Sequence, residues 1–147
     1  QTLSTNITAI IIIEWFKVTV IDDCISAIAT YYNSGAAPRV ENEARRSDSS
    51  IRPVECVWVS NPNSFIDIRN PAREIKNTSY EVIFDIIAKT DARRDNIREE
   101  VHRIIEVTGV TDYHNHRVIS VQNINEKNKY TAIVKAVLVK VNQLVGR

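Results

Sequence analysis

Three groups of residues have types and spacings that could do chemistry. The first is His114-Asn115-His116, with His102 upstream. Alternating histidines on a strand point the same way, and two imidazoles so placed can share a metal ion. The pattern lacks a third ligand and lies in a polar stretch ahead of a strand, so these read as solvated loop histidines rather than a metal site. The second group is Asp67, Glu74 and Lys76, an Asp upstream of a Glu-x-Lys triplet. A small metal-dependent nuclease uses such a set to hold a divalent cation and activate water for phosphodiester cleavage. Those enzymes set the residues on adjacent core strands. Here they fall in a polar insertion, with six residues between Asp67 and Glu74. The third group is Cys24, between apolar helix positions, and Cys56, in a strand core. Neither has the electropositive, exposed setting of a reactive thiol, and both read as small buried hydrophobes.

Other chemistry finds less footing. With only three glycines, a glycine-rich phosphate loop is excluded, and dinucleotide and P-loop nucleotide binding go with it. No serine sits in a nucleophile-elbow pattern. Asp22-Asp23 reads as a helix-surface or kink feature rather than an acid–base pair. The sequence assigns no catalytic residue, no cofactor and no metal, and the expectation is that the protein is not an enzyme.

Charge and composition narrow the class further. Nineteen Lys/Arg against eighteen Asp/Glu leave a net charge of +1, so no bulk field draws the chain to nucleic acid. The clusters Arg45-Arg46 and Arg93-Arg94 are offset by Glu41, Glu43, Asp91 and Asp95 and read as solvated faces. Two cysteines in 147 residues exclude a disulfide scaffold and a four-cysteine zinc module, and fit a reducing compartment. The greasy run Ile10-Ile11-Ile12-Ile13 is broken downstream by Glu14, Lys17, Asp22 and Asp23. It falls short of the roughly 20 apolar residues of a membrane span, and no secretory signal pattern precedes it. The leading Gln1 and the absence of methionine point to a processed or truncated start. A soluble domain covering residues 1–147 is expected.

The elements that must position these residues are legible from periodicity. Isoleucine occurs 21 times and valine 17 times against three leucines, a bias toward the half-buried surface of a sheet. Ile7, Ile11, Trp15, Val18, Ile21, Ile25, Ile28 and Tyr32 recur at helical spacing, predicting a helix over 4–33 stopped by Gly35. Residues 34–53 read as an exposed loop and 54–59 as a strand. Residues 60–78 read as a flexible, arm-like insertion in which Phe65–Arg69 alternates and could extend a hairpin.

Tyr80, Val82, Phe84 and Ile86 share one face of a strong strand. Thr90 or Asp91 caps a second helix with the stripe Ile97, Val101, Ile104 and Ile105. Its outer face carries a Glu99–Arg103 pair, and Gly109 closes it. A hairpin then joins Arg117–Ile124 to Tyr130–Val141, with Lys135 and Lys140 facing out. The fold class is α+β: an antiparallel or mixed sheet of four or more strands with two helices packed on one face.

This layout resembles a known family. The residues that carry the likeness are Pro53-Val54-Glu55-Cys56-Val57-Trp58-Val59, Tyr80-x-Val82-x-Phe84-x-Ile86, and Asp91-Ala92-Arg93-Arg94-Asp95-Asn96-Ile97-Arg98-Glu99-Glu100-Val101. Ile119-Ser120-Val121 and Lys129-Tyr130-Thr131-Ala132-Ile133-Val134 complete it. In order and length, residues 5–141 look like the tail-terminator (tail-completion) proteins of long-tailed phages and related viruses, and more broadly the small α+β proteins of the viral neck and tail. The resemblance implies a homo-oligomer, a hexameric ring that caps the tail tube and joins it to the head connector. Its partners would be the tail tube protein, the head connector protein and non-specific DNA in the lumen, with no membrane. The location implied is the virion tail or neck, after assembly in the host cytoplasm. Phe65, Ile66, Ile68, Arg69, Arg73 and Lys76 are then the candidate oligomer or channel contacts, on an arm ordered by assembly. A head-side connector adaptor or stopper is an alternative of the same class. The small metal-dependent nuclease is the alternative outside it.

Overall fold

The computed structural model describes residues 19–48, 54–70, 75–126 and 129–143. Helix α1 spans Val20–Tyr31. Thr19 starts it with a reciprocal cap: Thr19 Oγ1 accepts from the Asp22 amide at 3.2 Å, and Asp22 Oδ2 accepts from the Thr19 amide at 3.3 Å. Asp22 is therefore part of a helix start rather than a kink, and the expected residues 4–18 of the helix lie outside the described residues. The buried seam is Val20, Cys24, Ala27 and Ile28, while Ile21 and Ile25 pack along its margin. Relative to the predicted stripe, the seam is rotated toward the smaller residues. The helix also stops earlier than expected. Tyr32 is extended, and Gly35, at φ +102°, turns the loop that follows.

That loop is not wholly exposed. Pro38 is buried, Val40–Asn42 forms strand β1, and Glu43–Arg45 makes one 3₁₀ turn. Strand β2 runs Cys56–Asn70 and β3 runs Ile75–Ala88. The segment expected as an insertion at 60–78 is thus largely the continuation of two paired strands. Pro62 is absorbed by a register shift between Ser60 and Asn63. There Asn61 Nδ2 donates to the Glu81 carbonyl at 2.7 Å and to the Asn63 carbonyl at 2.9 Å, a side chain standing in where the ladder is interrupted.

Helix α2 spans Asp91–Arg103, with Thr90 as its cap, and widens into a π turn at Ile104–Thr108. The turn closes with Gly109 N–H on the Ile104 carbonyl at 2.7 Å. Gly109 has φ +80°, and a Cβ there would sit 2.5 Å from His116 Nε2, so both backbone and packing require glycine. Strands β4, His114–Glu126, and β5, Lys129–Gln143, complete the chain.

The sheet is mixed and five-stranded, in the order β1-β2-β3-β5-β4, with β1 parallel to β2 and every other pair antiparallel. One face is the core. Val57, Val59, Val82, Phe84, Ile86, Ala132, Val134, Ala136 and Leu138 lie fully buried with Ile28, Ile97, Val101, Ile104 and Ile105 of the helical layer. Helix α1 packs against β1 and β2, and α2 against β3 and β5. The alanines of β5 leave room for α2 to approach the sheet closely. The fold is α+β, with two helices on one face.

The opposite face is closed at one corner. Cys56 and Trp58 are buried there beside Ile87. The guanidinium of Arg46 lies 5.6 Å from the Trp58 ring centroid and donates to Asp85 Oδ2 at 2.6 Å. Among the described residues, no helix is long and apolar enough to cross a membrane.

Candidate functional site

The sheet extends at one end as an arm built from the far halves of β2 and β3 and the end of β5. Phe65 pairs with Ser79 and Ser79 with Val139; Ile68 pairs with Lys76 and Lys76 with Asn142. Four of the candidate contact residues therefore share β2: Phe65, Ile66, Ile68 and Arg69. Lys76 lies across from them on β3, and Arg73 lies outside the described residues. Phe65 and Ile66 are 64% and 62% exposed, a high value for large apolar side chains within a strand.

The root of the arm is braced against α1. Tyr113 Oη donates to Asp23 Oδ2 at 2.6 Å, and the Tyr113 ring meets Tyr80 edge-on with centroids 6.0 Å apart. Lys140 Nζ lies 5.5 Å from the centroid of the same ring, so Lys140 braces the helix side instead of facing freely outward. Burial first, and the Asp23 carboxylate second, push the Tyr113 hydroxyl well above the usual tyrosine range, so it remains a donor.

The arginine clusters are structural. Arg93 donates to Glu55, to Tyr32 Oη at 3.0 Å and to the Ala36 carbonyl at 2.6 Å, tying the loop after α1 to the start of α2. Arg94 is buried and donates to Asn125 Oδ1, and Arg98 donates to Asn123 Oδ1 at 2.8 Å. Helix α2 thereby holds strand β4 in place. Arg103 pairs with Glu100 at 2.6 Å, not with Glu99. Burial of one carboxylate decides the choice: Glu100 faces inward, whereas Glu99 is exposed.

Among the described residues, neither the histidines nor the cysteines assemble into a chemical group. Asp67 is opposite Asn77 and Lys76 opposite Ile68. Directly opposed residues share a face and successive residues alternate, so Asp67 and Lys76 take register positions on opposite faces. Glu74 lies outside the described residues. Among the described residues, no three His, Cys, Asp or Glu are grouped to hold a metal. A bulge at Asn115, whose φ is +50°, breaks the strand alternation that would have aligned His114 with His116. His116 packs on Gly109, and His102 Nε2 lies 3.0 Å from Glu106 Oε2. Both thiols are fully buried; burial pushes Cys24 up to about 12 and Cys56 up to about 11. A cleft of about 480 Å³ beside the bulge, lined by Ser79, Asn115, His116, Arg117, Val137 and Val139, brings together no acid–base pair.

Sequence reasoning missed a second exposed apolar site. Ile119 and Val121, on strand β4 at the sheet edge, are 47% and 42% exposed. The available signal was the uncharged run Val118–Asn125 in a chain that is 25% charged overall.

No protein-family model matches the chain, and no curated protein matches it.

Proposed function

We propose that the chain is a structural virion protein forming a homo-oligomeric ring that terminates a viral tail tube and joins it to the head connector. The genome would pass through the lumen. The observation that carries this reading is the arm: paired strands that run on past the bulge at Ser60–Asn63 and present Phe65 and Ile66 to solvent. A monomer gains nothing from exposing two large apolar side chains on a strand, whereas a subunit that meets its neighbour there buries them. The α+β class is the one that the likeness to tail-terminator proteins implies, while strand β1 and the paired strands within 60–78 depart from the layout on which that likeness rests. In this reading Arg69, Arg73 and Lys76 pair with a neighbouring subunit or face the channel. The partners are the tail tube protein on one side and the head connector protein on the other.

Electron microscopy of the purified chain at high protein concentration tests the proposal. Annular particles with an open centre are expected; single small particles at every concentration would overturn it.

A further inference from the structure

Among the described residues the sheet has two unpaired edges, on opposite sides. On one side β1 pairs with β2 only at Val57–Val59, which leaves the outer edge of β2 open from Asn63 to Asn70 among the described residues. On the other side, among the described residues, β4 pairs only with β5. Glu106 Oε1 accepts from the Val118 amide at 3.0 Å, so the open stretch of β4 begins at Ile119 and runs to Glu126. Each open stretch is eight residues long. A long edge strand is ordinarily protected by charge, proline or a bulge. Here Pro62 and its bulge lie before the β2 stretch, whose charges (Asp67, Arg69) and second register shift fall in its last four residues. On β4 a register shift at Val118–Ser120 opens the run Ile119–Asn125, which contains no charged residue.

Exposed apolar side chains mark the same two edges. Phe65 and Ile66 belong to one, Ile119 and Val121 to the other. We infer that the β4 edge of one copy pairs with the Asn63–Asn70 edge of the next, joining the sheets of successive copies head to tail. This rests on the ring reading and names its subunit contact. β2 and β4 run in opposite directions within the sheet, so copies in like orientation pair antiparallel. A two-fold contact at β4 alone would leave Phe65 and Ile66 in water, whereas the head-to-tail contact covers both pairs in every copy.

The register also fixes a step between copies. Ile66 is level with Lys140 through Thr78, and Val121 is level with Val134, so bringing these two same-face residues opposite one another displaces the next copy along the strands. The displacement is six residues measured along β5, from Val134 to Lys140, or ~20 Å. A closed sheet accommodates such a stagger by tilting its strands to the ring axis.

The test is a complementation between Val121→Lys and Ile66→Lys, each at a solvent-exposed position, read as absolute mass by light scattering. Every head-to-tail contact uses one edge of each kind, so each variant alone is expected to be a monomer. Mixed in equal amounts, the two retain one intact pairing and form a dimer of twice 16.7 kDa. That dimer also shows both variants to be folded. A variant that stays oligomeric alone, or monomeric variants whose mixture stays monomeric, would overturn the edge pairing. If the wild type is a closed oligomer in that case, the ring reading survives. The expected complementation, with a wild type that grows without limit as concentration rises, would keep the edge pairing and overturn the ring. A wild type that is monomeric at every concentration would overturn both.

Discussion

Tyr113 Oη donates to Asp23 Oδ2 at 2.6 Å and so joins the first turn of α1 to the turn ahead of β4, 90 residues away in sequence. The acceptor is a carboxylate and the tyrosine ring is 6% exposed, which places this among the stronger classes of hydrogen bond. Tyr113→Phe keeps the ring contacts with Tyr80 and Lys140 and removes only the hydroxyl. The expected loss is about 1.5–3 kcal/mol, seen as a lower urea midpoint with an unchanged slope. An unaltered midpoint would mean that the bond does not brace the arm.

The thiols provide a test of the core. With Cys24 at about 12 and Cys56 at about 11, both are overwhelmingly protonated at pH 8. The thiolate fraction of Cys24 there is about one in ten thousand. A chromogenic disulfide reagent is expected to find no thiol in the native protein and two in urea, matching the two cysteines of the sequence. A thiol that titrates within minutes under native conditions would contradict the burial of both residues.

Glu106 predicts a pH dependence. Its carboxylate is held below the ordinary glutamate value of 4.5, first by the hydrogen bond from the Val118 amide and then by His102. A group whose folded value is depressed contributes stability above the unfolded value and loses it as pH falls through the folded one. Glu106→Gln should therefore melt below the wild type at neutral pH, and the gap should close as pH is lowered past the ordinary glutamate value. A gap of constant size into acid would show that charge at Glu106 plays no part.

The elements legible in the sequence are those whose burial follows a simple period. Tyr80, Val82, Phe84 and Ile86 alternate because the far face of their strand carries Glu81 and Asp85. Ile97, Val101, Ile104 and Ile105 repeat because only one side of α2 meets the sheet. Strand β1 was not legible, since its three residues are strand only through parallel pairing with Val57–Val59, a contact between distant parts of the chain. The outer halves of β2 and β3 were hidden by Asn61-Pro62-Asn63, which reads as a turn and folds as a bulge. At the candidate site, the alternation around Phe65 and Ile66 was visible. The open edge at Ile119 and Val121 was not, because the same run serves equally well as an interior strand until the order of the sheet is known. The buried Arg94 escaped for a related reason: its partner Asn125 becomes adjacent only when α2 packs across β5 to the edge.

Ring formation is tested most directly by the absolute mass of the wild-type chain, measured by light scattering over a wide range of protein concentration. The account predicts one closed species of fixed mass, a hexamer of the 16.7 kDa chain on the likeness to tail-terminator proteins. A mass of 16.7 kDa at every concentration would contradict it.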